Sequence, residues 1–474
     1  MLDLAGFILL TLLGSILTAL LHSPKRSWRH WFAEPRTAVL KLESTWGHDE
    51  VTDNTTNAQT LLQDIKNLAE CHETPALLSD LIYKDGAGEW PPRSNHATTT
   101  WPTALRAYRE IYEEMAPLLP TATVSLDDEV NRLRIANFRS HFRKLLHERV
   151  DLAQVEVLLK AAEAGQWDVF PRDTYNGFYS CIAWCRHAYR YVLCGTAPLA
   201  TAFLTPSTRW ATIPVVRVAQ LEKTIRLPPS LHLPWTYLQR HFGLTSQSGN
   251  NMSNLVLNFS PSATYALHIN TGLSETITSS EESFARIFHD VEVLALPIYH
   301  AVVHSLLSFA RRDLPATLLH TRRVTACLRP LLSSYYDRVH DARIARSAWL
   351  SHVQGFYAWG VGEERDDDKE EGGWVKFDGL SGNQVLLFQV LDAFLGLEPY
   401  LDEENRRRNV PERQRLFCDA VARHSFRRQL GEDGVEGRVR AELVEIVKRL
   451  RVRFISFLFL LLGTSGLANA GMFC

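Results

Sequence analysis

Apolar residues recur three and four positions apart along most of the chain, the spacing of one face of an α-helix. In the first half this pattern predicts helices over 105–118, 126–148, 152–164 and 175–193. In the second half it predicts helices over 284–310, 314–339, 343–359, 385–397, 411–429 and 439–453. No run of the sequence has the apolar-polar alternation of a half-buried strand. The predicted fold class is therefore all-α.

Breaks in the helical pattern divide the chain into segments. Residues 23–101 are polar and interrupted by Thr, Asn, Gly and Pro, so we expect an irregular lead-in with one short amphipathic stretch at 61–68. Residues 245–262 are rich in Ser and Asn and predict a loop between two helical subdomains. We expect a small helical subdomain over 102–257 and a larger helical bundle over 258–453.

Three local signals lie in the larger subdomain. Ser279-Ser-Glu-Glu-Ser283 favours a helix start, because serine caps free amides and the glutamates oppose the N-terminal dipole. Pro297 is expected to kink the helix that follows, since proline removes a backbone donor. Residues 363–373 carry nine charged residues and end in Gly-Gly, which predicts a solvated loop.

Both ends of the chain are apolar. Residues 4–21 form an uncharged run of 18 residues, close to the shortest stretch that spans a bilayer, so 1–22 is predicted to be a membrane anchor. Basic residues after the run favour a cytoplasmic body of the protein. A cleavable signal peptide is the alternative, although no basic n-region or small-x-small cleavage site is evident. Residues 454–474 form an apolar tail, which we expect to dock on the core or touch the bilayer surface.

Composition excludes several classes of protein. A hydrophobic content of 46% in 474 residues supplies a buried core and excludes a disordered chain. Fifty-one basic and 53 acidic residues leave a net charge of −2, so we expect no nucleic-acid partner. Seven scattered cysteines favour reduced thiols over a disulfide framework. Nucleotide-binding glycine loops, nucleophile elbows and His-Glu-x-x-His motifs are absent from the sequence. We expect a monomer.

A turn of small residues precedes the helix predicted at 385–397. Gly379, Ser381 and Gly382 form this turn, and Gln384 ends it. Small residues let the backbone approach a planar ligand and offer amide donors to it. An ordinary helix N-terminus has the same composition, and that alternative stays open.

This turn and the helix after it, which ends in Asp392 to Gly396, resemble the haem-pocket segment of the indoleamine 2,3-dioxygenases. The resemblance covers about residues 175–453, and each motif in it is weak. Other elements of this family occur before and after the turn, in the family's order. They are Ile213-Pro214, Leu227-Pro-Pro229, Phe284 with Val291-Glu-Val293, His340-Asp341, Phe356 to Gly360, Arg406-Arg407, Val410-Pro411 and Arg415-Leu-Phe417.

The resemblance implies an all-α protein with two helical subdomains, the larger one a bundle with a haem-type pocket. It implies haem b iron as cofactor, with an indole and dioxygen as small-molecule partners. The family's reaction opens the indole ring of tryptophan to N-formylkynurenine, a step of tryptophan catabolism by the kynurenine pathway. The pocket residues it implies are Phe284, Phe288, Gly379, Ser381, Gly382 and Gln384.

Three features of the family are not matched in this sequence. The chain passes from Gly396 to Arg406 without the family's glycine-rich segment, and the proximal histidine is unmatched. The arginine that pairs with the substrate carboxylate falls at Val353 by ungapped count, and valine cannot form that pair. The last helix, usually Leu-Arg-x-x-His, reads Leu450 to Phe454.

These departures leave the catalytic residues unassigned. His424 is the nearest downstream histidine and a candidate iron ligand, with a surface or core position as the preferred alternative. His289, His300, His304 and His352 are candidate pocket members with a structural alternative. The rival function is a non-catalytic, membrane-tethered helical scaffold that has lost haem. A third is an enzyme for another small molecule, anchored by Arg286.

Overall fold

The computed structural model describes ten stretches of the chain. These are 54–85, 92–119, 128–191, 224–339, 343–353, 356–357, 363–365, 374–376, 380 and 382–462. The predicted membrane anchor at 1–22 lies outside the described residues, as do Gly379 and Ser381. From Ala58 onward the described residues form one compact unit. The finer division at residue 257 stays a prediction.

Helices dominate the described residues, so the all-α prediction is confirmed. In the first half the helices are α1 (Asn54–Leu68), α2 (Glu73–Ser79), α3 (Thr103–Met115), α4 (Asp128–Arg149), α5 (Leu152–Glu163), α6 (Arg172–Tyr191), α7 (Pro229–Phe242) and α8 (Asn251–Asn254). Helix α6 packs against α3, α7 and α8, and its central residues from Asn176 to Arg190 are all buried.

The segment from 54 to 85 differs from the irregular lead-in predicted for 23–101. It contains α1 and α2, followed by a π-helical turn at Asp80–Asp85. Leu61 is 7% exposed and Ile65 is fully buried, because the polar helix α1 turns one apolar stripe toward the core. The pattern identified only the amphipathic stretch at 61–68 of this helix, because the stripe is narrow and the rest of the segment is polar.

The second half contains the longest helices. They are α9 (Glu275–Val293), α10 (Leu296–Ala310), α11 (Leu314–Val339), α12 (Arg346–Ala348), α13 (Leu386–Phe394), α14 (Glu403–Asn409), α15 (Glu412–Arg423) and α16 (Gly434–Leu462). Helices α10 and α11 form a hairpin, and α11 also contacts α9 and α16. Helix α13 packs against α15. This packing supplies the framework on which the predicted pocket residues lie.

Two boundaries in this half differ from the predictions. Helix α9 begins at Glu275, with Ser274 as its N-cap, so Ser279 to Ser283 lie inside the helix and do not start it. The serine-rich sequence misled the prediction, because Glu281 turns into the core rather than toward the helix dipole. Pro297 does not kink a continuous helix, because α9 has ended at Val293 and proline occupies the second position of α10.

A small three-stranded sheet accompanies the helices. Strands β1 (Thr224–Ile225) and β2 (Glu363–Arg365) are parallel, with Thr224 opposite Glu363. Strand β3 (Trp374–Lys376) is antiparallel to β2. The charged segment predicted as a solvated loop therefore begins as a strand. Strands of two and three residues are too short to show sequence alternation, and they leave the fold class unchanged.

One described stretch, Glu275–Ala310, has the length and apolar composition to cross a membrane. Within its most apolar window, 72% is buried inside the protein, as in a helix that packs in a protein core. At the C-terminal end, α16 continues to Leu462. The first nine residues of the predicted apolar tail are thus helical, and 463–474 lie outside the described residues.

Candidate functional site

Aromatic side chains from separate segments meet beside α9. The rings of Phe284 and Phe288, one turn apart on this helix, lie edge-to-face with centroids 5.4 Å apart. The Phe284 ring also lies 5.9 Å from that of Trp349 and 6.2 Å from that of Tyr357. Such offset aromatic contacts add stabilisation to the burial of the rings. We call Phe284, Phe288, Trp349 and Tyr357 the aromatic cluster.

The turn that precedes α13 contacts this cluster. A Cβ atom placed on Gly382 would lie 3.3 Å from Cε1 of Phe288, so the glycine allows the backbone to approach the ring. Gly382–Gln384 forms a 3-10 turn, and Oε1 of the buried Gln384 accepts a hydrogen bond from the Asn251 amide at 3.0 Å. Three predicted pocket residues, Phe284, Phe288 and Gly382, therefore lie together.

A buried carboxyl group holds α13 against α9. Oε1 of Glu292 accepts the Leu387 amide at 3.3 Å, and Oε2 accepts the Tyr299 hydroxyl at 3.0 Å. Burial raises the pKa of Glu292 to about 7, against the hydrogen bonds that favour its ionised form. Glu292, the central residue of the Val291-Glu-Val293 match, thus positions the start of α13. Nothing in the sequence distinguishes it from a surface glutamate.

A second buried carboxyl group lies one turn before Phe284. Oε1 of Glu281 accepts the Tyr265 hydroxyl at 3.0 Å and the Ile269 amide at 2.7 Å. Oε2 accepts the backbone and side-chain nitrogens of Asn270 at 3.0 and 2.9 Å. Burial raises its pKa to about 7, although these donors favour the anion. Glu281 therefore ties the loop before α9 to the helix that carries the aromatic cluster.

A pocket of about 100 Å³ borders the same segment after Gly382. It is smaller than common small-molecule sites, which enclose about 300–1,000 Å³. We call it the α13–α15 pocket, because most of its walls come from those helices and the segment between α13 and α14. Its lining is Asn383, Phe388, Gln389, Asp392, Ala393, Leu397, Pro399, Tyr400, Leu401, Arg406, Cys418, Asp419 and Ala422.

The wall of this pocket is largely apolar, with a few polar groups. Burial raises the pKa of Asp392 to about 6. Nη2 of Arg406 lies 2.5 Å from Oδ1 of Asp419, so this ion pair closes one side. Cys418 is buried, and desolvation raises the pKa of its thiol far above the usual range. The described wall is thus mainly apolar, and its one cation is already paired with a carboxylate.

A haem group does not fit the described pocket as it stands, because about 100 Å³ is less than the space of common ligand sites. The Phe388 ring and the neighbouring apolar residues suit the face of a porphyrin, but Arg406 is already paired with Glu403 and Asp419. The described lining contains no histidine, which is the axial ligand that the family resemblance requires. No chemical step through iron is therefore assigned to the residues of the pocket.

His424, the candidate iron ligand, lies in a different environment. It follows the last residue of α15, and its Nε2 lies 2.6 Å from Oε1 of Glu73. Its ring contacts that of His72, with centroids 4.2 Å apart. Its side chain is 35% exposed. These contacts agree with the surface alternative for His424, and it is not among the residues lining the α13–α15 pocket.

The other predicted positions have protein partners. Val353, where the family has its substrate arginine, is fully buried. Nε and Nη2 of Arg286 bond to Glu282, and Nη2 also donates to the carbonyl oxygen of Ala263, so these two nitrogens are already engaged. His289 packs on Phe259 with ring centroids 4.3 Å apart, and the carbonyl of His352 accepts from Asn270. His300 and His304 lie on α10, and both contact the carboxylate of Asp64.

Comparison of the sequence with protein-family models and with curated proteins finds no match. The resemblance to the indoleamine 2,3-dioxygenases stays a prediction based on the motifs quoted above.

Proposed function

We propose that this chain is a haem-dependent dioxygenase of the indoleamine 2,3-dioxygenase type, with reduced activity. Its reaction is the opening of the indole ring of tryptophan to N-formylkynurenine, with dioxygen as co-substrate. The observation that carries the proposal is the meeting of Phe284, Phe288 and Gly382. Phe284 and Phe288 precede Gly382 by 94 positions or more, yet the three lie together, as the resemblance to that family implies for its pocket residues. None of the three is among the residues that line the α13–α15 pocket.

Exposure of the aromatic side chains supports the proposal. Phe284, Phe288 and Phe388 each pack against the core, but each is only partly buried. Large aromatic rings with one uncovered face are suited to stacking against a planar ligand. The α13–α15 pocket beside Phe388 lies next to the turn, and its volume of about 100 Å³ would have to increase for a ligand of haem size.

The pocket chemistry argues for a changed substrate preference. A tryptophan carboxylate needs a cationic partner, and the buried Val353 cannot supply one. Arg286 is engaged with Glu282 and Ala263. An indole that carries no carboxylate does not need a cationic partner, so its binding is not weakened by valine at position 353. We therefore expect indole to be oxidised at least as well as tryptophan.

A second function is favoured by one specific observation. The described lining of the pocket has no histidine, and His424 bonds to Glu73 instead. A helical scaffold that has lost haem would have both properties. Such a protein would fold cooperatively and leave haem unbound, with membrane association through residues 4–21 as its predicted tether.

Product analysis separates the two functions. The full chain, purified in mild detergent and incubated with haemin, a reductant and dioxygen, is supplied with tryptophan or indole. The dioxygenase proposal predicts ring-opened products with both oxygen atoms derived from ¹⁸O₂. A Phe288→Ala variant is expected to lose most of this activity, because the ring beside Gly382 is removed.

The matched control is Phe138→Ala, which removes a buried ring on α4, away from the aromatic cluster. Retained activity in this folded control, together with loss in Phe288→Ala, would support the pocket assignment. Absence of ring-opened product from wild-type protein that has bound haem would refute the dioxygenase function. Absence of haem binding by folded protein would favour the scaffold.

A further inference from the structure

Three potential metal ligands converge between α1 and α10, away from the residues that line the α13–α15 pocket. His300 and His304 are four residues apart and therefore project from the same face of α10. Asp64 comes from α1, 236 positions earlier than His300. Its Oδ2 lies 2.7 Å from Nε2 of His300 and 2.7 Å from Nε2 of His304.

The geometry of these atoms suits a small cation. The two Nε2 atoms and the carboxylate oxygen all lie within 4.8 Å of one another. Two ligands of a tetrahedral zinc ion, each about 2.1 Å from the metal, are about 3.4 Å apart. The Asp64 oxygen would therefore move about 0.7 Å away from the two histidine nitrogens. The Asp64 side chain is 40% exposed, which leaves space for this movement.

A third imidazole lies beside the cluster. The rings of His304 and His320 are stacked with centroids 4.8 Å apart, and those of His300 and His304 lie 4.3 Å apart. Nδ1 of His300 is buried and has no hydrogen-bond partner among the described residues, so the hydrogen bond of this ring is the one between Nε2 and Asp64.

We propose that Asp64, His300 and His304 bind one divalent first-row transition-metal ion, with zinc as the preferred ion. Two imidazoles and one carboxylate are a common ligand set for zinc, and they leave the fourth position to water. The ion would join α1 to the α10–α11 hairpin. This site does not depend on haem or on the proposed dioxygenase reaction, because none of its ligands lines the α13–α15 pocket.

Metal analysis of the full chain tests the assignment. Protein without a polyhistidine tag is stripped with a chelator, dialysed against zinc and then against metal-free buffer, and analysed by plasma mass spectrometry. The expected content is one zinc per wild-type chain. In Asp64→Asn and His304→Ala the affinity is expected to fall more than about tenfold, measured with a competing chromogenic chelator. Both substitutions change partly exposed side chains and leave the buried His300 in its position.

The matched control is His147→Ala, which removes an exposed histidine from α4. It should bind zinc as wild type does, and zinc should raise the unfolding temperature of both proteins. That rise should be lost in Asp64→Asn, whose fold is checked by circular dichroism. Wild-type protein that retains no zinc would overturn the proposal. Equal zinc affinity in wild type, Asp64→Asn and His304→Ala would do so as well.

Discussion

Glu292 is expected to make the protein less stable as the pH rises, and a neutral substitute should abolish that effect. The carboxyl group is fully buried between α9 and the start of α13, where it accepts from Tyr299 and Leu387. Its pKa rises from 4.5 to about 7 because burial penalises the charge. Glutamine at this position keeps an acceptor for the Leu387 amide and carries no charge at any pH.

The folded and unfolded states bind different numbers of protons at Glu292, and this difference sets the direction and size of the change in unfolding free energy. The unfolded chain releases the proton near pH 4.5 and the folded protein near pH 7, so the folded state binds more protons between these values. The contribution of Glu292 to the free energy of unfolding is therefore greatest below pH 4.5 and falls until the pH passes about 7. At about 1.4 kcal/mol per pH unit, the loss between pH 5 and pH 8 is about 2 to 3 kcal/mol.

The assay is urea denaturation of wild-type and Glu292→Gln protein at pH 5 and pH 8, followed by tryptophan fluorescence. The difference in unfolding free energy should shift in favour of the variant by about 2 to 3 kcal/mol between these pH values. A Glu110→Gln control changes an exposed carboxylate on α3 and should show no comparable shift. An equal difference at both pH values for Glu292→Gln would refute the reasoning.

Three further substitutions test other parts of the structure. Trp184→Phe should lower the unfolding free energy by about 1–3 kcal/mol, because Nε1 of Trp184 donates to the buried carbonyl of Asn254 at 2.9 Å. Equal stability in urea would contradict this contact. Val353→Arg should reduce the yield of folded protein, because it buries an unpaired charge, and it should not increase tryptophan oxidation. Increased oxidation would contradict the buried position of this side chain. Burial lowers the pKa of His187 to about 3, so the wild-type protein should lose stability as the pH falls below 6.5. His187→Asn should lose less unfolding free energy than wild type between pH 7 and pH 5, and an identical loss would contradict the lowered pKa.

Helical periodicity predicted most of the fold because the long helices bury broad apolar faces. Helix α11 occupies 314–339, the range that the pattern predicts. Helix α1 was predicted only as an amphipathic stretch at 61–68, because its core contact rests on few residues, such as Leu61 and Ile65, within a polar segment. The two-residue strand β1 depends on pairing with β2, about 140 positions away, and has no local signal of its own.

The candidate site was only partly predictable. Phe284, Phe288 and Gly382 were identified through motif order, and the structure brings them together. The buried states of Glu281 and Glu292 were not predictable, because a glutamate on a helix is usually exposed and their partners come from other segments. Asp64 has no sequence signal that connects it with α10. The spacing of His300 and His304 was the one available clue to a metal site.

Haem uptake by the folded chain decides between the dioxygenase and the scaffold, and a titration measures it. Haemin is titrated into the full chain while the Soret band is followed. The comparison includes Ala422→Trp, which fills the α13–α15 pocket from an exposed position, and Ala136→Trp, which adds the same ring to an exposed position on α4. We predict stoichiometric uptake with a shifted Soret band in wild type and Ala136→Trp, and weak uptake in Ala422→Trp. No Soret shift in folded wild-type protein, or equal uptake in all three proteins, would contradict the claim.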